Sequence, residues 1–141
     1  CCPQRAFEEL HVEFTDRADF VMAYIEEAHA MDEWPVPSGR YNHGRGAVRV
    51  TQPKTLDERR QLARQFAEDF GVTMRMLVED PATLAFEKAY APWPLRFYVI
   101  AADGRLVLIA EPKNCTFSVA DLRDFLLAHT GAGAQPSSMD V

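Results

Sequence analysis

The stretch ADFVMAYIEEAH, Ala18 to His29, constrains this chain more than any other, because an almost uninterrupted apolar run passes straight into two carboxylates and an imidazole. From residue 19 to 25 the apolar residues Phe20, Val21, Met22, Tyr24 and Ile25 fall at odd and even positions alike. An extended segment of that kind needs cover on both faces, which predicts a central strand of the parallel type. Sites in open α/β sheets lie at the carboxyl ends of strands, and Glu26, Glu27 and His29 arrive there, with Trp34 shortly after. The competing reading is a polar loop that follows a core strand.

A chain of 141 residues fits one domain, large enough to bury a core. Fifteen Lys plus Arg stand against 21 Asp plus Glu, a formal net charge of -6, so a sequence-independent grip on nucleic acid phosphates is not expected. A small neutral or cationic substrate, or a protein partner, suits this balance better. Hydrophobic residues make up 48% of the chain, which excludes global disorder, and the longest apolar run is too short to cross a bilayer. The residues as given are therefore expected to be soluble. No signal-peptide pattern is present, and the sequence begins at Cys1 without an initiator Met, so an upstream segment and the compartment stay open. Three cysteines cannot all pair, adjacent Cys1 and Cys2 are poorly placed to bond each other, and Cys115 has no ligand partner at a zinc spacing. Neither a disulfide framework nor a metal site is expected.

Taken in order, residues 4 to 15 place Phe7, Leu10 and Phe14 three and four apart among glutamates, the pattern of an amphipathic helix. After His29, prolines and glycines at 35, 37, 39, 44, 46 and 53 forbid a long regular element, so residues 31 to 54 read as an insertion over the sheet's carboxyl edge. Thr55 and Glu58 make a capping box, followed by the apolar face Leu56, Leu62, Ala63, Phe66, Ala67, Phe70 and a stop at Gly71. Val72 to Val78 reads as a strand, 82 to 90 as a short helix, and Leu95 to Ala101 as a strand. Asp103 and Gly104 form a hairpin signal that pairs this strand antiparallel with Leu106 to Ala110. Ser118 caps a last helix that ends near Gly131, and residues 132 to 141 read as a flexible tail. Strands alternating with helices imply an α/β fold with a mixed sheet and flanking helices. The closing strand, hairpin, strand, helix unit is that of thioredoxin-like domains, with Pro94 at their cis-proline position.

The motif ADFVMAYIEEAHAMDEW resembles the iodothyronine deiodinase family, thioredoxin-like selenoenzymes that remove iodine from thyroid hormones. YIEEAH is its specific part; Met31 and Glu33 replace the serine and glycine of the serine-Asp-Gly-Trp stretch that follows in the family. KTLDERRQLA, Lys54 to Ala63, is similar to the family's helix start, and PLRFYVI, Pro94 to Ile100, to its Pro-Glu-Arg-Leu-Tyr strand. The likeness runs from about Phe7 to Thr130. It implies Glu27 and His29 as an acid/base pair, and Tyr24, Trp34, Arg96 and His43 as substrate-binding residues. It also implies an iodinated aromatic substrate, a thiol reductant as cosubstrate and no bound cofactor. A homodimer is compatible with it, and membrane attachment would come only through a segment not present here. Pro53 stands where the family has a histidine before this helix, and His43 is the residue that could substitute.

The family's nucleophile, a selenocysteine or cysteine followed by Pro-Pro-Phe, lies in a loop after its first strand. An ungapped register through Phe7, Leu10 and Phe14 puts it before Cys1; a register that shortens the first helix makes Cys2, followed by Pro3, the nucleophile. Either way the strand before that loop, central in such a sheet, has no residues here. Its two neighbours are expected to present open edges, as in a fragment of a longer product that would fold poorly alone. Two other functions stay in view: a thiol peroxidase or thiol-disulfide oxidoreductase of the same fold, and a non-catalytic interaction domain.

Overall fold

In the computed structural model the described residues are 3–35, 50–93, 95–111 and 118–131. Their elements run α1 (Pro3–Glu13), β1 (Val21–Tyr24), α2 (Leu56–Phe70), β2 (Arg75–Val78), α3 (Ala85–Tyr90), β3 (Phe97–Ile100), β4 (Leu106–Ala110) and α4 (Val119–His129). Cys2, His43, Pro94, Cys115, the middle of the insertion and the tail from 132 lie outside the described residues.

The helices form where local chemistry starts and stops them. At α2 the Thr55 hydroxyl accepts from the Glu58 amide at 3.2 Å, and the Glu58 carboxylate accepts from the Thr55 amide at 3.0 Å. Gly71 ends the helix at φ 64, a conformation glycine adopts without Cβ strain. Two otherwise orphaned amides are satisfied at once, so Thr55→Ala should destabilise the domain by about 1 kcal/mol in denaturant melts. Ser118 caps α4 through the Asp121 amide at 3.1 Å.

α1 and α4 enclose the main apolar cluster, Leu10, Phe14, Leu122 and Leu126. Phe7, Phe20, Phe97, Val99 and Leu108 pack against it, with the Phe7 and Phe97 rings 4.3 Å apart. Arg123 of α4 donates to the Glu13 carboxylate of α1 at 2.6 to 3.0 Å, closing the rim of the same contact.

β1 pairs parallel with β2, Val21 opposite Arg75 and Tyr24 opposite Val78. β3 pairs antiparallel with β4 through the Asp103–Gly104 turn, with an irregularity at Val99/Ile100. The mixed sheet stands as two separate two-stranded pairs with no described strand between them to bond both, in keeping with the central strand expected to be missing. One expectation from sequence changes here. The segment read as covered on both faces is only half-buried: Val21 is 40% exposed, and Met22 to Ile25 are intermediate. One partner strand and one helix, α2, cannot cover both faces of β1. Open apolar edge residues, Val21, Ile100 and Leu106 among them, follow from the split. None of the described helices is long and apolar enough to cross a membrane.

Candidate active site

The carboxyl ends of β1 and β2 are joined first by backbone: the Glu79 amide donates to the Tyr24 carbonyl at 3.0 Å, one step past the strands. Behind this junction lies a buried ion pair. Arg59, 2% exposed on α2, donates to the Glu79 carbonyl at 3.3 Å and stands 3.7 Å from the Glu79 carboxylate. The other Glu79 oxygen accepts from the Glu87 amide at 2.8 Å, so one buried side chain binds β2, α2 and α3 together. This is the platform on which the end of β1 rests.

Glu87 belongs to the same cluster. Its Oε2 is buried without a hydrogen-bond partner. Desolvation, then the Glu26 and Glu79 carboxylates, push its carboxyl above the ordinary range. A raised folded-state pKa means the native state holds the proton more tightly than the unfolded chain. This contribution is therefore complete below the ordinary carboxylate range and is lost as pH rises through the folded value. Glu87→Gln should raise stability at neutral pH and flatten that part of the pH profile, which denaturant midpoints across pH would register.

Just past β1 the chain forms the polar turn. The Tyr24 hydroxyl donates a hydrogen bond to the Glu27 carboxylate. Burial, reinforced by Glu27, pushes the phenol well above its ordinary pKa, so Tyr24 stays a proton donor across the physiological range. Tyr24 also packs edge-on against Phe66 of α2 at 5.7 Å, which fixes the ring. His29 adopts φ 67, left-handed for a residue with a Cβ, at a cost of about 1 to 2 kcal/mol. Strain of this kind persists where the surroundings over-determine the backbone. Here they do: Ala30 is fully buried, and its carbonyl accepts from Glu33 and Trp34 at 3.2 and 3.1 Å. The Met31 amide donates to the Val50 carbonyl at 2.9 Å.

The twist carries the His29 ring edge-on to Trp34, with centroids 4.5 Å apart and Nδ1 3.3 Å from the Trp34 carbonyl. Trp34, 57% exposed, stacks in turn on Trp93 at 6.0 Å. An imidazole and two indoles thus form a continuous aromatic wall, and two residues before it in the chain a carboxylate is held by a phenol.

Of the residues singled out from sequence, Tyr24 meets Glu27, and His29 meets Trp34. Arg96 is engaged elsewhere, on the β3–β4 pair, where its Nε stands 3.6 Å from the Glu111 carboxylate. Cys2 and His43 fall outside the described residues. Two further participants escape a reading of the sequence. Trp93 carries a weak signal, being one of two tryptophans in the chain. Gln52, whose amide grips the Glu27 backbone, carries none, since a lone glutamine between Thr51 and Pro53 is ordinary loop sequence. A cavity of about 640 Å³ opens beside Gln52, lined also by Asp32, Lys54, Glu58 and Gln61. Among the described residues no group of three or more His, Cys, Asp or Glu is placed to hold a metal ion.

Fold and site together define a mixed α/β domain with a polar turn, bearing Glu27 and His29, at the carboxyl end of a parallel strand pair. A family model described as iodothyronine deiodinase matches residues 2–129. The chain is 29% identical over 134 residues to thyroxine 5-deiodinase of Aquarana catesbeiana, covering 92% of this chain and 46% of that protein. It is 36% identical over 122 residues to type II iodothyronine deiodinase of Fundulus heteroclitus, covering 86% and 44%. To type I iodothyronine deiodinase of Xenopus laevis it is 28% identical over 101 residues, covering 72% and 35%. The chain belongs to the iodothyronine deiodinase family, and it spans less than half the length of these relatives.

Proposed function

We propose that this polypeptide is the proton-delivering and ring-binding part of a reductive deiodinase with a thioredoxin-like fold, acting on an iodinated aromatic of the iodothyronine class. The observation that carries the reading is the YIEEAH turn, where Tyr24 holds the Glu27 carboxylate and a strained backbone aims His29 along Trp34. Family membership supports the reaction class.

In this reading a selenolate or thiolate, from Cys2 or from a residue that precedes Cys1, attacks iodine. The carbon–iodine electron pair stays on the ring carbon, which takes a proton from His29, and a chalcogen–iodide bond forms. Two thiols then reduce that bond, releasing iodide and a disulfide and regenerating the nucleophile. Glu27 orients and recharges His29, with Tyr24 as the hydrogen-bond donor that keeps Glu27 in place. Trp34, extended by Trp93, offers the face against which an iodinated ring lies, because polarisable aromatic rings stack favourably on indole. His43 and Arg96, the latter on release from the Glu111 carboxylate, are assigned to the substrate's polar groups, and the thiol reductant enters only as cosubstrate.

The test is iodide release from an iodothyronine by the full-length gene product with a dithiol present. Release in stoichiometric step with thiol oxidation is the expected result. Peroxide consumption without iodide would replace this reading with the thiol peroxidase one, and absence of both activities would leave the scaffold as an interaction domain.

A further inference from the structure

Gln52 reaches across the base of the insertion to residues 25 positions earlier in the chain. Its Oε1 accepts from the Glu27 amide at 2.9 Å, and its Nε2 donates to the Glu27 carbonyl at 3.1 Å. One side-chain amide thereby supplies the donor and acceptor that a neighbouring strand would supply, just where β1 has run out of partner. Nε2 also donates to the Glu33 carboxylate at 3.1 Å, and the Gln52 backbone amide donates to Asp32 at 2.8 Å. Both sides of His29 in the chain, Glu27 before it and Asp32 and Glu33 after it, are thus fastened to one residue.

We propose that Gln52 is the positioning residue of this site: by taking both backbone hydrogen bonds of Glu27 it holds the Glu27–His29 turn in its left-handed form. That keeps the Glu27 carboxylate on Tyr24 and the imidazole against Trp34. The side chain suits the task because an amide alone among uncharged side chains pairs donor and acceptor at the spacing of a peptide group. A carboxylate there would face the Glu27 carbonyl and the Asp32 and Glu33 carboxylates with no proton to give. The catalytic consequence rests on the deiodinase reading; the geometric one does not.

The experiment compares the full-length protein with its Gln52→Ala and Gln52→Glu variants by two readouts. The first is hydrogen exchange of the Glu27 amide by NMR, which needs no activity. Slow exchange in the parent and at least tenfold faster exchange in Gln52→Ala are expected, while the capped amide of Glu58 in α2 stays unchanged. The second is steady-state iodide release, with kcat falling 10- to 100-fold in Gln52→Ala and KM within twofold. In Gln52→Glu the loss should deepen as pH rises and be relieved toward acid pH, where the introduced carboxyl regains a proton to donate. A merely structural residue would lower the folded fraction without that kcat-specific, pH-reversible loss. Unchanged Glu27 exchange in Gln52→Ala overturns the proposal, as does a loss confined to KM. Should Gln52→Ala fail to fold, the absence of acid relief in Gln52→Glu overturns it. A parent without iodide release but with the expected exchange pattern sinks the deiodinase reading and leaves the positioning role standing.

Discussion

His29→Ala should lower kcat for iodide release by about 10²- to 10⁴-fold, the range for loss of a positioned general acid, with a smaller change in KM. The size follows from what the reaction needs. Breaking the carbon–iodine bond leaves charge on the ring carbon, and without a donor in contact the proton must come from water. Alanine also carries a Cβ and tolerates φ 67 no better than histidine, so His29→Asn, whose side chain suits the left-handed region, is the control that separates loss of the imidazole from backbone strain. Glu27→Gln is the companion variant. Its amide oxygen can still accept from the Tyr24 hydroxyl, which preserves the turn while removing the charge proposed to recharge His29. Full iodide release in both variants would sink the assigned roles. Retained binding with lost turnover would support them.

The second large effect concerns stability. Arg59→Ala is expected to destabilise the domain by about 3 to 5 kcal/mol, because it leaves the Glu79 carboxylate buried beside no cation. The same substitution removes a hydrogen bond to the Glu79 carbonyl and opens a cavity under α2. The pair itself contributes far less than that figure. At 3.7 Å it is too long for a strong hydrogen bond, and Arg59 Nε has no partner, so desolvation consumes most of the attraction. Replacing both residues by methionine should therefore recover much of the loss. Equilibrium unfolding of the two single variants and the double one measures this coupling directly; additive losses would contradict it. Because Glu79 also carries the ladder past Tyr24, Arg59→Ala should disturb the site through the end of β1.

Elements held by interactions within four residues are legible in the amino-acid pattern alone. The Thr55–Glu58 box and Gly71 bound α2, Ser118 starts α4, and Asp103–Gly104 turns β3 into β4. YIEEAH marks the candidate site for a similar reason: its Tyr24–Glu27 hydrogen bond joins residues only three positions apart. The burial of β1 is overstated by its composition, because apolar residues state what a strand could bury, whereas cover depends on which elements arrive beside it. Arg96 shows the same limit, since its partner Glu111 comes from the opposing strand end.

By itself, then, the sequence determined the helices, the hairpin, the family and the residues proposed to carry protons. Only the tertiary structure decided how little of β1 is covered, that His29 is twisted into the left-handed region, and that Gln52 and Trp93 complete the turn. The reason is reach. Capping and turn energies arise between near neighbours and leave residue-type signatures. A glutamine that closes a 25-residue span, or an indole stacked across 59 positions between Trp34 and Trp93, is chosen by geometry that no local pattern records.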